Sequence, residues 1–301
     1  MGLNEWGGLF ILAAIWGSSF IFIEVALAGF SPYLLVFLRI FIGALTLTAI
    51  LALRGVTLPK GWHLWRLFFI MGLMQNAIPF CLITWGQQHI TAGLTSIFNA
   101  TIPFFSVVLA HLFTQEEKVS PVKAIGLLTG IFGIVTLIGF DSLTQLDLKN
   151  LGQFAVLGAA ICYAVSIVWG LKFSGLKPGV AAAGMLWCAS LSMLPVLLLN
   201  SEPNIRNVSW MSLFAIIALG VFCTAIAYII FFQILEKAGA TATSLVAFLI
   251  PISALILANL FLGEQLSGSD IPGIALVFIG LILIDGRILK FLNQEKLGNS
   301  G

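Results

Sequence analysis

GLMQNAIPFCLITWGQQHITAGLTSIFNATIPFFSVVLAHLFTQE, the stretch from Gly72 to Glu116, returns without a gap 148 residues later as Gly220 to Glu264. The identities include Ala77/Ala225, Ile78/Ile226, Ala92/Ala240, Thr95/Thr243, Ser96/Ser244, Ile102/Ile250, Pro103/Pro251, Phe113/Phe261 and Glu116/Glu264. So many matches at one fixed offset point to duplicated architecture. Working outward, apolar runs of the length needed to cross about 30 Å of hydrocarbon fall at 7–27, 33–53, 65–88, 91–113, 121–140, 151–171, 179–199, 209–235, 240–262 and 271–289. The two copies start five runs apart, an odd number, so the second copy enters the bilayer the other way up. Inverted repeats of this kind hold substrate sites between their halves in many secondary transporters.

Composition fixes the solvent. Hydrophobic residues make up 60% of the chain and charged residues 9%, with mean hydropathy +1.10; a soluble domain carries about 25% charge. The net charge of +2 and the lack of a basic block count against nucleic acid as a partner. The joins between runs carry turn residues, among them Ser31-Pro32, Ser120-Pro121 and Lys177-Pro178-Gly179. The first run has no Lys or Arg ahead of it, so it is expected to be a retained span and not a cleaved signal.

With the N-terminus in the cytoplasm, eleven basic residues fall on the inner side: Arg54, Lys60, Arg66, Lys118, Lys123, Lys172, Lys177, Lys237, Arg287, Lys290 and Lys296. Only Lys149 and Arg206 fall outside, and Arg39 is left inside the second span. That asymmetry obeys the positive-inside rule in both halves. The expected fold is therefore an all-α integral membrane protein, ten transmembrane helices in two inverted five-helix repeats around a central cavity. Residues 1–145 form the first repeat, 146–290 the second and 291–301 a cytoplasmic tail.

Three motifs carry a resemblance. They are AAIWGSSF (Ala13 to Phe20), AGLTSIFNATIPFFSVVLAHLFTQEE (Ala92 to Glu117) and ATATSLVAFLIPISALILANLFLGEQ (Ala240 to Gln265). Small residues, a mid-span proline and an acid just past the span end resemble the drug/metabolite transporter superfamily, in its ten-span EamA type. Its aromatic amino acid and methyl viologen exporters are the most similar in length and aromatic content. The resemblance implies a multi-pass protein of the bacterial inner membrane with both termini cytoplasmic. It also implies export of small metabolites, with amino acids as the specific expectation, and a monomer working in the lipid bilayer.

Polar groups at hydrocarbon depth are costly and face a cavity or another helix. Asn76, Phe80 and Thr84 share one helical face, and their repeat partners Thr224, Tyr228 and Phe232 share another. Two such stripes meeting at a pseudo-twofold axis make a cavity wall, or else a set of interhelical hydrogen bonds. Gln75, Asn99 and Gln233 are further candidates; Asn99 faces Ala247 in the repeat, so the pocket is expected to be asymmetric. Trp16, Trp169 and Trp187, with Tyr163 and Ser19 at neighbouring depths, supply flat surfaces suited to an aromatic or cationic substrate, or fill the core. Arg39 either pairs with Glu24 across the outer loop or holds a substrate carboxylate. Pro103 and Pro251 at matched positions remove backbone hydrogen bonds and are expected to act as hinges, or as static kinks.

Other chemistry is poorly represented. Cys81, Cys162, Cys188 and Cys223 lie in apolar runs without ligand spacing, and His63, His89 and His111 lack carboxylate partners at helical spacing. No metal or cofactor is expected. There is no Walker loop, no G-x-S-x-G and no mid-membrane acid, which argues against an ATP-driven pump or an enzyme and leaves proton coupling open. Efflux of lipophilic or quaternary cations is the main alternative; a membrane-embedded enzyme or a passive channel ranks lower. Gly126, Gly130 and Gly133, with Gly273 and Gly280, are expected to serve close helix packing.

Overall fold

The computed structural model describes residues 1–87, 89–90, 92–115, 117, 119–146, 150–199, 205, 208–262 and 270–285. Lys118, Lys149, Arg206, Arg287, Lys290 and Lys296 of the charge count, the acids Glu116 and Glu264, and the expected tail 291–301 lie outside these residues. The described chain is helical, and no strand occurs in it beyond an isolated bridge between Phe30 and Ile205. In lipid the helix satisfies every backbone group within its own segment, so a chain this apolar has little alternative.

The helices are α1 (Leu3–Leu27), α2 (Pro32–Leu53), α3 (Trp62–Gly86), α4 (Leu94–Phe113), α5 (Pro121–Ile138), α6 (Leu151–Phe173), α7 (Pro178–Leu199), α8 (Trp210–Ser244), α9 (Val246–Leu262) and α10 (Asp270–Asp285). Side-chain caps start several of them. Ser31 accepts from the Leu34 amide at 3.4 Å, Ser120 from Lys123 at 3.2 Å, Asn150 from Gly152 at 2.9 Å and Ser209 from Ser212 at 3.1 Å. Proline follows at the first helical position of α2 and α5, where its missing N–H costs nothing.

Eight of the helices, α1 to α8, are long and apolar enough to cross a membrane, and Val246–Leu257 is a shorter apolar segment. The ten expected spans are thus not matched one for one by the described helices. At Gly239, with φ +83° and ψ −179°, the chain turns inside the 35-residue α8, so residues 240–244 lead into α9. The described part of α10 is only 16 residues long, because the expected run continues to 289, beyond the described residues.

The duplication is visible in the backbone. A π-helical turn interrupts α3 at Leu73–Ala77 and another interrupts α8 at Val221–Ile226, the same position at an offset of 148. Neither turn is signalled by proline or glycine within it. Such turns widen the helix by a residue and occur mostly at functional sites.

Packing follows the same exchange. α1 packs on α8 and α9, while α6 packs on α3 and α4; α2 packs on α7 and α8, while α7 packs on α2 and α3; α5 packs on α10. The self-related pairs run antiparallel. Gly126 approaches Gly280 while Gly133 approaches Gly273, and in the α2–α7 pair Gly43 meets Leu186 while Leu51 meets Gly179. An axis that interchanges two antiparallel helices is perpendicular to both.

That exchange breaks down in one place. α4 and the C-terminal half of α8 pack together, whereas the related pair, α3 and α9, makes at most marginal contact among the described residues. Glu117, just past α4, ties to the chain entering α9: its carboxylate accepts from the amides of Ala240 at 2.6 Å and Thr241 at 2.8 Å. Large apolar side chains such as Leu128, Phe132, Leu191 and Phe214 stay exposed on the outer faces of the helices, as a lipid-facing surface requires.

Candidate substrate site

The two π-helical turns bring their side chains to one place at the junction of the halves. Thr224 bonds to the Leu219 carbonyl five residues back, at 2.8 Å, and the same hydroxyl accepts from Arg39 Nε at 3.2 Å. Arg39 Nη2 donates to the Cys223 carbonyl at 3.4 Å, and that carbonyl also accepts from Trp16 Nε1 at 3.2 Å. The guanidinium lies 5.2 Å from the centroid of the Phe80 ring. One turn before Phe80, the Asn76 carbonyl oxygen accepts from the Tyr228 hydroxyl at 2.7 Å. Trp16 meets Tyr228 edge-on with centroids 6.0 Å apart. Gln75 accepts from Ser166, whose hydroxyl is also 2.7 Å from the Tyr163 carbonyl.

Arg39, Gln75, Asn76, Thr224 and Tyr228 are all buried. An Arg at the centre of a membrane helix costs about 3 kcal/mol on insertion scales. A cation–π contact returns about 0.5–2 kcal/mol. Arg39 therefore depends on its two hydrogen bonds and on whatever else reaches the guanidinium. The expected pairing with Glu24 does not form: Glu24 is exposed, and among the described residues no carboxylate forms an ion pair with Arg39. The reason is direction, since Arg39 turns inward to the carbonyl and hydroxyl that the second π-turn presents.

The remaining candidates sit elsewhere. Ser19 spends its hydroxyl on the Trp16 carbonyl of its own helix, at 2.5 Å. Trp187 donates to Thr48 at 2.9 Å in the α2–α7 seam and meets Phe41 edge-on. Trp169 donates to the Leu67 carbonyl at 3.3 Å, with the Lys172 ammonium 3.3 Å above its ring. Phe232 packs with Phe173 and Phe231 and lines a small cleft together with Gly170 and Glu236. Thr84 is half-buried, and Gln233 is exposed. Asn99 keeps a buried Oδ1 without a protein donor. All three indoles thus find an acceptor, as burial in hydrocarbon demands.

Pro103 opens the second half of α4 just after a break at Ala100 and Thr101, whereas Pro251 lies within continuous α9, six residues beyond a turn at Leu245. The two breaks are therefore not at repeat-equivalent positions. Residues 76, 80, 224 and 228 come together, while Phe232 packs on Phe173 and Phe231.

Ser166 and Cys223 were not among the sequence candidates. Ser166 had a signal, since Ser18 precedes it by the repeat offset of 148. Cys223 acts through its carbonyl, which no side-chain pattern reveals. The cysteines are free, and no His, Cys, Asp or Glu cluster suited to a metal occurs among the described residues.

A helical membrane protein of two related halves, with a buried polar cluster where they meet, belongs by architecture to the polytopic carriers. The chain is a member of the EamA-like transporter family, whose model matches it twice, over residues 6–139 and 150–285. The chain is 25% identical to "Uncharacterized transporter YoaV" of Bacillus subtilis over 277 residues, covering 92% of this chain and 94% of that one. It is 28% identical to "Protein PecM" of Dickeya dadantii, covering 96% and 94%. A solved crystal structure superposes with a TM-score of 0.79 at 22% identity, covering 94% of this chain and 96% of that one, and so shares the fold.

Proposed function

We propose that the protein exports small metabolites, amino acids in particular, across the bacterial inner membrane by alternating access. Ten spans in two inverted five-helix halves enclose the cluster around Asn76, Thr224 and Tyr228. The halves divide near residue 145, both termini face the cytoplasm, and a single chain is the working unit. The observation that carries this reading is the broken symmetry of packing: α4 packs on the C-terminal half of α8, while their counterparts α9 and α3 make at most marginal contact among the described residues. A carrier with two exchangeable halves has a mirror state in which the open and closed ends trade places. The N-terminal ammonium 3.0 Å from Asp285 supports an even number of crossings, since both lie at the same end of the molecule. The breaks beside Pro103 and before Pro251 are the hinges of the exchange, and the aromatic rings of Trp16, Phe80 and Tyr228 hold the substrate's apolar part.

Counterflow in proteoliposomes with a panel of labelled amino acids tests the reading. Exchange of at least one amino acid is expected, falling about tenfold in Asn76→Ala and Tyr228→Phe, the worth of about one buried hydrogen bond. Equal exchange by wild type and both variants removes the site from the pathway; no exchange by wild type removes amino acid transport. Repeating the assay under imposed pH gradients separates facilitated diffusion from proton coupling.

A further inference from the structure

We infer that the site recognises its substrate by a carboxylate seated on Arg39 and Asn76, and that an amino group on the substrate is dispensable. The inference rests on the transport reading for its purpose, but on the geometry alone for its chemistry.

Arg39 is a permanent cation with five N–H donors. Its hydrogen bonds run from Nε to Thr224 and from Nη2 to the Cys223 carbonyl, which leaves Nη1 without an acceptor among the described residues. It is buried, and its face is covered by a ring, not by an acid. The second donor is Asn76. Its carbonyl is taken by Tyr228, while its Nδ2 is fully buried and makes no hydrogen bond to protein. Arg39 and Asn76 are neighbours through two bridges. The Phe80 ring beneath the guanidinium is one turn from Asn76, and Thr224, bonded to Arg39, is one turn from Tyr228, bonded to Asn76.

A buried amide donor and an uncompensated guanidinium side by side are suited to the two oxygens of one carboxylate, which binds arginine with directional, charge-assisted hydrogen bonds. Tyr228, Trp16 and Phe80 place apolar ring surface beside that position. The complementary partner for an ammonium or quaternary cation is missing: among the described residues no Asp or Glu hydrogen-bonds or ion-pairs with Arg39, Asn76, Thr224 or Tyr228. An organic acid with an apolar body therefore meets every demand of the site, whether or not it carries an amine. A lipophilic cation meets none and is repelled by Arg39.

The test is a binding measurement on the detergent-solubilised full chain, with phenylacetate, phenylalanine and their uncharged or cationic counterparts phenylacetamide and phenylalaninamide as probes, read as the shift in melting temperature with ligand concentration. Phenylacetate and phenylalanine are expected to bind with similar apparent affinity, and each amide at least tenfold more weakly. Asn76→Asp, which supplies Arg39 with an internal carboxylate at nearly constant volume, is expected to abolish the preference for the acids, and Arg39→Gln likewise. Equal shifts by acid and amide, no shift by either acid, or acid preference retained in Asn76→Asp overturns the inference. The comparison in wild type needs no variant to fold. Counterflow that succeeds while this preference fails leaves the carrier standing and the carboxylate site refuted.

Discussion

Gly280→Val is expected to leave little folded protein in the membrane, with the melting temperature of what remains far below that of the wild type. A Cβ at position 280 would lie 2.6 Å from the Gly126 carbonyl oxygen, 2.7 Å from the Gly130 nitrogen and 2.9 Å from its Cα. All three are backbone atoms, so no side chain can swing aside. The contact is reciprocal: a Cβ on Gly126 would meet the Gly280 oxygen at 2.8 Å, and one on Gly273 would meet the Leu137 nitrogen at 2.8 Å. Close backbone approach through small residues is the main source of helix association in lipid, where burial of apolar surface drives nothing. Forcing even one methylene into a packed seam costs about 1–3 kcal/mol, and valine adds three carbons. Gly7→Ala, with nothing within 4 Å of the added carbon, is the control and should match or slightly exceed wild-type stability. Thermal unfolding in detergent checks both; a Gly280→Val protein as stable as the wild type would remove α5–α10 from the load the fold carries.

Glu117→Ala has the second large effect, on the conformational balance and not on folding. The carboxylate closes the amide end of residues 240 and 241 immediately after the positive-φ Gly239, with both oxygens engaged. Hydrogen bonds to a charged group contribute about 1.5–3 kcal/mol, and a negative charge at a helix N-terminus adds about 0.3–1 kcal/mol. Glu117 belongs to the segment after α4 and residues 240 and 241 to the chain entering α9, so this tie joins the two halves. On the alternating-access reading, its loss removes about 2–3 kcal/mol from the tied state alone, a shift of about 30- to 160-fold toward the opposite state. Labelling of a cysteine at Phe232, in a background without the native cysteines, is expected to speed up from the tied side by that order in Glu117→Ala. Glu117→Gln, with one acceptor oxygen left, should fall between. An unchanged labelling rate in both would mean that the tie holds a loop and nothing more.

How much of this could be read from residues alone depends on which physical signal each part leaves. The duplication announced itself through Pro103/Pro251 and the small residues around them, and the glycine seam through Gly126, Gly130, Gly273 and Gly280, because close packing permits few side chains. The polar junction was half legible. Asn76, Thr224, Phe80 and Tyr228 stand out as polar or aromatic groups at helical spacing, but a strict period of 3.6 extends each stripe to Thr84 and Phe232. The cluster uses only the first two members of each stripe, at and just after the π-turns Leu73–Ala77 and Val221–Ile226, and Phe232, one turn further along regular helix, packs instead on Phe173 and Phe231. Arg39 was legible as an intramembrane cation, though not its direction: Glu24 was the nearest acid in sequence, while the acceptors are a hydroxyl and a carbonyl on the other half. Glu117, which no sequence pattern singles out, holds the amides of residues 240 and 241.

The central claim is that one site at the junction of the halves opens to each side of the membrane in turn. Its most direct test replaces Phe80 by cysteine in a background without the native cysteines, reconstitutes the protein in sealed vesicles of known orientation, and adds a membrane-impermeant thiol reagent to one side at a time. The account predicts labelling from both sides, slowed from the tied side and accelerated there by Glu117→Ala. Labelling from one side only, in the wild-type and Glu117→Ala backgrounds alike, would contradict it.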